Sequence, residues 1–233
     1  MSLTSHIEAA FQEGQKIAAA FIDLTAAYDT IWIKGLVLKL WKALECPIMT
    51  RLIAALLTNR SFQVTLDGQR SRYPKNGLPQ GSVLAPSLFN LYISDIPPTT
   101  GRKFLYADDI AITAKEPSLI TAQNVLNQDL EILQDYLSTR GLKPNPRKTV
   151  ACAFHLYTRE AKTQFQVKFC GERVSHDPFP RYLGVTLNRS LTYKKHLEGL
   201  GAKLRSRNSI IQKLAGTSWG SDARTLREGE FQK

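Results

Sequence analysis

The chain has 233 residues, 43% of them hydrophobic, which is enough for one sizeable core with part of a second unit and too apolar for a disordered polypeptide. Its 31 Lys and Arg against 20 Asp and Glu leave a net charge of +11, favouring a polyanionic partner, either nucleic acid or an anionic membrane surface. Membrane is the weaker option, and the chain reads as intracellular: no apolar run approaches the roughly 18 residues of a spanning helix, and the N-terminus lacks the charged start, apolar middle and cleavage site of a signal peptide.

In chain order, residues 16–24 read as a buried strand, an apolar run closed by Asp23 and followed by the small Thr25-Ala26-Ala27. Helical spacing covers 36–45 and 48–59, interrupted at Pro47, which cannot donate an interior helix hydrogen bond. Phe62, Val64 and Leu66 alternate up to Asp67-Gly68, a dipeptide that accepts the positive φ of a two-residue turn, so 61–73 reads as a hairpin. Val83, Leu84, Leu88, Leu91 and Tyr92 predict a helix within 82–96, with Pro86 in an early turn and Pro97-Pro98 as its stop.

A tight hairpin follows around Tyr106-Ala107-Asp108-Asp109, between the apolar runs Lys103-Phe104-Leu105 and Ile110-Ala111-Ile112-Thr113. Leu126, Leu130, Leu133 and Leu137 put an apolar stripe on a helix over 118–140, with Gly141 as its stop, and that stripe should cover the sheet. Residues 148–155, 165–169 and 182–187 read as strands, the last two linked through the turn-rich 171–180. Leu197, Leu200, Leu204, Ile211 and Leu214 mark a last long helix. Strands and helices mix without a strict βαβα repeat, which argues for an α+β sheet layered with helices, with a boundary near residue 190. Cys46, Cys152 and Cys170 fit neither a disulfide framework nor a paired-cysteine zinc site and read as buried thiols. His6, His155, His176 and His196 show no ligand spacing.

Chemistry concentrates in the aspartates. Asp108 and Asp109 are adjacent at a hairpin tip, and a folded sheet could bring Asp23 beside them. Two unit charges about 5 Å apart repel by roughly 3 kcal/mol at an effective dielectric near 20, so three clustered carboxylates call for cations. Mg²⁺ suits them, since it shares its oxygen shell with phosphates and water, and two such ions can stabilise both oxygens of a phosphoryl displacement.

Further segments make an ordered series: Asn76-Gly77-Leu78-Pro79-Gln80-Gly81-Ser82, then Pro86-Ser87-Leu88-Phe89-Asn90, then Tyr106 to Asp109, with Asp23 and Tyr28 upstream. This series resembles the palm motifs of reverse transcriptases. The wording of Asp23-Leu24-Thr25-Ala26-Ala27-Tyr28-Asp29, of Gly141 through Thr149 and of Arg181-Tyr182-Leu183-Gly184-Val185 resembles the jockey-type non-LTR retrotransposon branch, and Lys213 through Gly220 is similar to the start of its thumb.

The resemblance implies a right-hand polymerase palm, an antiparallel sheet with helices packed on one face, at residues 1–190, followed by the basic start of a helical thumb at 191–233. It implies an RNA-directed DNA polymerase with two Mg²⁺ ions, or Mn²⁺, held by Asp23, Asp108, Asp109 and the Leu24 carbonyl. RNA template, DNA primer and deoxynucleoside triphosphates would be its partners. Tyr28 would exclude a ribose 2′-hydroxyl by bulk, while Gln80, Gly81 and Tyr106 would lie against the nucleotide. Lys148 would protonate the leaving pyrophosphate, Arg181 to Gly184 would grip the primer end, and Lys203, Arg205 and Arg207 would track phosphates.

In this chain Asp23 arrives after only 22 residues, so most of the family's fingers region and its triphosphate-gripping cations are expected to be missing, as in a palm core cut at both ends. That leaves an alternative, a catalytically inactive remnant that only binds nucleic acid. An RNA-binding module of RRM type shares the strand plan but lacks its Lys/Arg-Gly-Phe/Tyr strand, and it would gain nothing from carboxylates facing a polyanion. A nuclear location would follow from the resemblance, without a compact import cluster to support it, and oligomeric state is not encoded in any pattern seen.

Overall fold

The computed structural model describes residues 2–66, 69–74, 77–160 and 166–214. The chain opens on a helix that the periodicity reading left out, α1 (Leu3–Gln12), capped by the Ser2 hydroxyl accepting the Ser5 N–H. Strand β1 (Lys16–Ile22) and the two-residue β2 (Leu24–Thr25) follow, then α2 (Ile33–Leu44) and α3 (Pro47–Leu57). Pro47 opens α3, where its missing N–H costs nothing.

Strands β3 (Ser61–Leu66) and β4 (Gln69–Pro74) pair as the expected hairpin, although its Asp67-Gly68 turn lies outside the described residues. Next come α4 (Ala85–Tyr92), β5 (Arg102–Tyr106), β6 (Asp109–Glu116) and α5 (Leu119–Thr139), the last capped by Ser118. After them run β7 (Lys143–Pro144), β8 (Val150–Phe154), β9 (Lys168–Phe169), β10 (Glu172–Arg173), β11 (Ser175–His176), β12 (Arg181–Tyr182), β13 (Val185–Thr186) and α6 (Lys194–Leu214).

Five strands form the central sheet in the order β11-β8-β1-β6-β5, antiparallel except where β11 runs parallel to β8. Strand β1 lies in the middle and is buried on both faces, which is why it reads as a continuous apolar run rather than an alternating one. Ala18, Ala20 and Ile22 face a core shared with α2, α4 and α5, including the whole leucine stripe of α5. Ile17, Ala19 and Phe21 face a second core with Leu3, Ile7 and Ala10 of α1, joined by Tyr182 and Val185 from the β12–β13 pair. The expected α+β palm architecture is therefore present, with α1 as an added cover on the second face.

Several expected elements change length for local reasons. Residues 182–187 form no single strand: Leu183 and Gly184 both have positive φ, +46° and +82°, so the segment folds back on itself as a two-residue type I′ hairpin. The strand expected at 165–169 keeps only β9, and residues 161–165 lie outside the described residues, as do Asn76 and the tail from 215 onward. The helix expected within 82–96 shortens to α4. Cys152 is buried and Cys170 half-buried, but Cys46 is exposed, against the expectation of a buried thiol.

Candidate active site

The register of the sheet brings the acidic residues together. β1 pairs with β6 through Ile22↔Ile110, so one step further along both strands sets Asp23 opposite Asp109. β5 pairs with β6 through Tyr106↔Asp109, leaving Ala107 and Asp108 as a two-residue turn in which Ala107 takes φ +51°. Side chains alternate along a strand, so Asp23 continues the face of Ile17, Ala19 and Phe21, and Asp109 the face of Ala111. Both carboxylates thus occupy the α1 side of the sheet, at the end where β1 leaves it.

Electrostatics follows from that placement. Partial desolvation, then the negative charges of Asp108 and Asp23, push the Asp109 carboxyl above the ordinary carboxylate range. Burial, then the Asp108 carboxylate and the neighbouring Tyr106, push the Tyr28 phenol up, which puts Tyr28 within electrostatic reach of the same cluster. Among the described residues no three His, Cys, Asp or Glu side chains stand together as a finished metal cage. The donor set nevertheless fits a hard divalent cation: carboxylate oxygens only, mutually repelling, at a solvent-open tip where Mg²⁺ can complete its shell with waters and substrate phosphates.

Asp23 is fixed by a turn that the sequence reading did not connect to it. Its N–H donates to the Thr149 hydroxyl at 3.3 Å, and its carbonyl accepts the Asn145 N–H at 2.8 Å. Thr149 in turn donates both its N–H and its hydroxyl to the Asn145 carbonyl, each at 2.9 Å. Because 23 and 145 are a hydrogen-bonded pair, Leu24↔Pro144 is a non-hydrogen-bonded one, and the Leu24 carbonyl turns away from β7. Lys148 belongs to this turn, its N–H donating to the Asn145 carbonyl at 3.2 Å, and is exposed.

The loop before α4 docks on the chain after β2. The Leu78 N–H donates to the Tyr28 carbonyl at 2.7 Å, and Gly77, at φ +72°, lies so close that a Cβ there would sit 2.2 Å from the same carbonyl oxygen. Gln80 donates its amide to the Asp29 carboxylate at 3.2 Å, while Gly81, at φ +85°, opens onto free space. The Tyr28 ring stacks on Phe89 of α4, centroids 4.9 Å apart and planes 22° from parallel. Tyr106 is 66% exposed beside the aspartates.

On the α1 side of the sheet, the β12–β13 hairpin rests against the cluster. Tyr182 packs its ring on Phe21 at 5.6 Å and donates its hydroxyl toward the Phe104 carbonyl at 3.5 Å. Burial, then the Asp109 charge, push its phenol up, so the hairpin root lies within electrostatic reach of that aspartate. Arg181, Leu183 and Gly184 are exposed around it. The expected cationic face of α6 is not a single face: Lys203 and Arg207, four residues apart, share one side next to the exposed Leu200 and Leu204, whereas Arg205 points elsewhere. Lys195 is drawn over the Phe179 ring, 3.8 Å from its centroid.

An antiparallel sheet with paired aspartates at one strand end and helices behind it is the architecture of a right-hand polymerase palm. Solved structures of telomerase from Candida tropicalis share the fold: the apo form truncated from its C-terminal domain superposes with a TM-score of 0.55 at 12% identity, over 83% of this chain and 39% of that one. The complex with the TWJ fragment of telomeric RNA gives 0.55 at 13% identity, over 83% and 33%. At the level of sequence the assignment is direct: residues 1–187 match the family "Reverse transcriptase (RNA-dependent DNA polymerase)", and the chain belongs to it.

Curated relatives include the RNA-directed DNA polymerase from mobile element jockey of Drosophila funebris, 32% identical over 85% of this chain, and that of Drosophila melanogaster, 29% identical over 90%. The probable RNA-directed DNA polymerase from transposon BS of Drosophila melanogaster is 33% identical over 84%. The chain spans less than a quarter of the length of each of these, between 22% and 23%. Enzymes of this family use divalent metal ions. No helix among the described residues is long and apolar enough to cross a membrane.

Proposed function

We propose that this chain is the palm core of an RNA-directed DNA polymerase of a non-LTR retrotransposon, extending a DNA primer on an RNA template with deoxynucleoside triphosphates. The observation that carries the reading is the register setting Asp23 opposite Asp109, with Asp108 adjacent, in a chain of the reverse transcriptase family. The telomerase neighbour solved with telomeric RNA supports a nucleic acid template. In this reading residues 1–190 would be the palm and 191–233 the start of the thumb.

Asp23, Asp108, Asp109 and the Leu24 carbonyl would hold two Mg²⁺ ions. When bound, such ions lower the pKa of a primer 3′-hydroxyl and neutralise the charge of departing pyrophosphate. The chain's own residues do the positioning. Tyr28 would exclude a ribose 2′-oxygen by its bulk. Gln80 turns its NH₂ toward Asp29, which accepts only, so its carbonyl oxygen is left for the nucleotide or template. Lys148, exposed in the turn that holds Asp23, would be the proton donor to pyrophosphate, and the β12–β13 hairpin would support the primer end.

The test is extension of a DNA primer annealed to RNA, with Mg²⁺ or Mn²⁺, by the purified chain and by Asp108→Asn. Metal-dependent extension lost in the variant supports the assignment. Equal extension by both would reject the site, and metal-independent nucleic acid binding with no extension by either would leave a binding protein in its place.

A further inference from the structure

We propose that Phe89 is a positioning residue for sugar selection, holding the Tyr28 ring rigid against the nucleotide; this deepens, and rests on, the reading of Tyr28 given above. A side chain that excludes one oxygen atom by bulk must not yield. A tyrosine has two rotatable bonds, and a half-exposed ring with only solvent behind it would swing aside to admit a 2′-hydroxyl. Tyr28 is not so placed.

Its backbone is clamped by the Leu78 N–H on its carbonyl and by Gly77, whose contact with that oxygen admits no side chain. Behind the ring stands Phe89, fully buried within α4 in the main core beside Leu88 and Tyr92, with its ring face nearly parallel to that of Tyr28. Phe89 cannot retreat, because protein interiors are close-packed and the α4 residues around it are themselves buried. The stiffness of the core is thereby transmitted, through one aromatic contact, to the ring that faces the substrate. Phe89 touches no substrate atom in this arrangement and acts only through Tyr28.

The experiment measures kcat/KM for a matched deoxynucleotide and ribonucleotide in Mg²⁺-dependent primer extension by the parent, Phe89→Leu, Phe89→Met, Tyr28→Val and the double variant Phe89→Leu/Tyr28→Val. Equilibrium binding of the same two nucleotides to the chain carrying primer–template is measured in parallel. Phe89→Leu should raise relative use of the ribonucleotide about tenfold, within the range that one group in an apolar pocket commands. Tyr28→Val should raise it at least as much, and the double variant should add nothing to Tyr28→Val.

A fold weakened by the loss of a core ring lowers both rates together and leaves their ratio alone, and Phe89→Met checks that leucine is not special. A ratio moved by Tyr28→Val but not by either Phe89 variant overturns the role of Phe89 while sparing that of Tyr28. A ratio unmoved by Tyr28→Val, or a parent that neither extends nor distinguishes the two sugars in binding, overturns both.

Discussion

Asp109 sits where its own charge is unwelcome. Desolvation, with Asp108 and Asp23 nearby, raises its carboxyl above the unfolded value, so its contribution to stability is favourable below the ordinary carboxylate range and is lost as pH rises through the raised value. At neutral pH the ionised group therefore works against the fold until a cation joins it. Asp109→Asn should melt above the parent at pH 7 in chelator-treated buffer, with the difference fading at acid pH as the carboxyl becomes protonated in both folded and unfolded states. Added Mg²⁺ should raise the melting temperature of the parent and not of the variant. Calorimetry at two pH values, with and without Mg²⁺, checks this without any turnover, and a variant that melts below the parent at pH 7 would show that the cluster is not electrostatically frustrated. Gly77 is the opposite kind of residue, silent chemically and decisive sterically. Gly77→Ala adds a left-handed backbone penalty of about 1–2 kcal/mol to a Cβ that would meet the Tyr28 carbonyl at 2.2 Å. The expected result is loss of the Leu78–Tyr28 hydrogen bond, read as faster amide exchange at Leu78, together with a drop in extension.

At the scale of elements, the β12–β13 hairpin links the second core to the aspartates, and its turn gives a clean handle on it. A Cβ at Gly184 meets nothing within 4 Å, so Gly184→Ala costs only the conformational penalty of φ +82°, about 1–2 kcal/mol. The variant should keep the sheet, judged by circular dichroism, while the Tyr182–Phe21 contact loosens and primer affinity falls; unchanged affinity would detach the hairpin from primer support. This element also marks where the sequence stops being readable. Gly184 signals a turn, but the positive φ of Leu183 does not follow from leucine, and the alternation of Tyr182, Val185 and Leu187 imitates one strand. Elements with a strong period, β1 and α5, lie close to where the apolar runs put them, because burial on two faces or along one stripe leaves few other arrangements. The aspartates were legible as neighbours because strand register is discrete, and 23 and 109 fall on the same face. The Asn145–Thr149 clamp on Asp23 was not, since it ties Asp23 to Asn145 and to the Thr149 hydroxyl, the latter 126 residues away, through contacts that no local pattern encodes. The stack of Phe89 under Tyr28 was hidden for the same reason, since Tyr28 reads as bulk against a sugar and Phe89 as part of a separate motif, with no local pattern joining the two rings.

For the whole molecule, a charge of +11 on 233 residues would make the proposed nucleic acid binding salt-dependent, and α6 offers a way to localise that dependence. The helix carries exposed leucines beside Lys203 and Arg207 and places Arg205 on another side. A duplex is a straight partner on the scale of three helical turns, so it can touch one side of α6 and not both. If the Lys203–Arg207 side tracks the phosphates, each charge lost removes about 0.9 from the slope of log K against log salt, and Lys203→Gln/Arg207→Gln lowers the magnitude by about 1.8 while Arg205→Gln leaves it unchanged. Fluorescence titration of a labelled RNA–DNA hybrid between low and moderate salt measures the three slopes. The reverse pattern, with Arg205 carrying the dependence, would turn the leucine side of α6 away from nucleic acid, and equal small changes in all variants would place the electrostatic footprint on the sheet end near Lys148 and Arg181 instead.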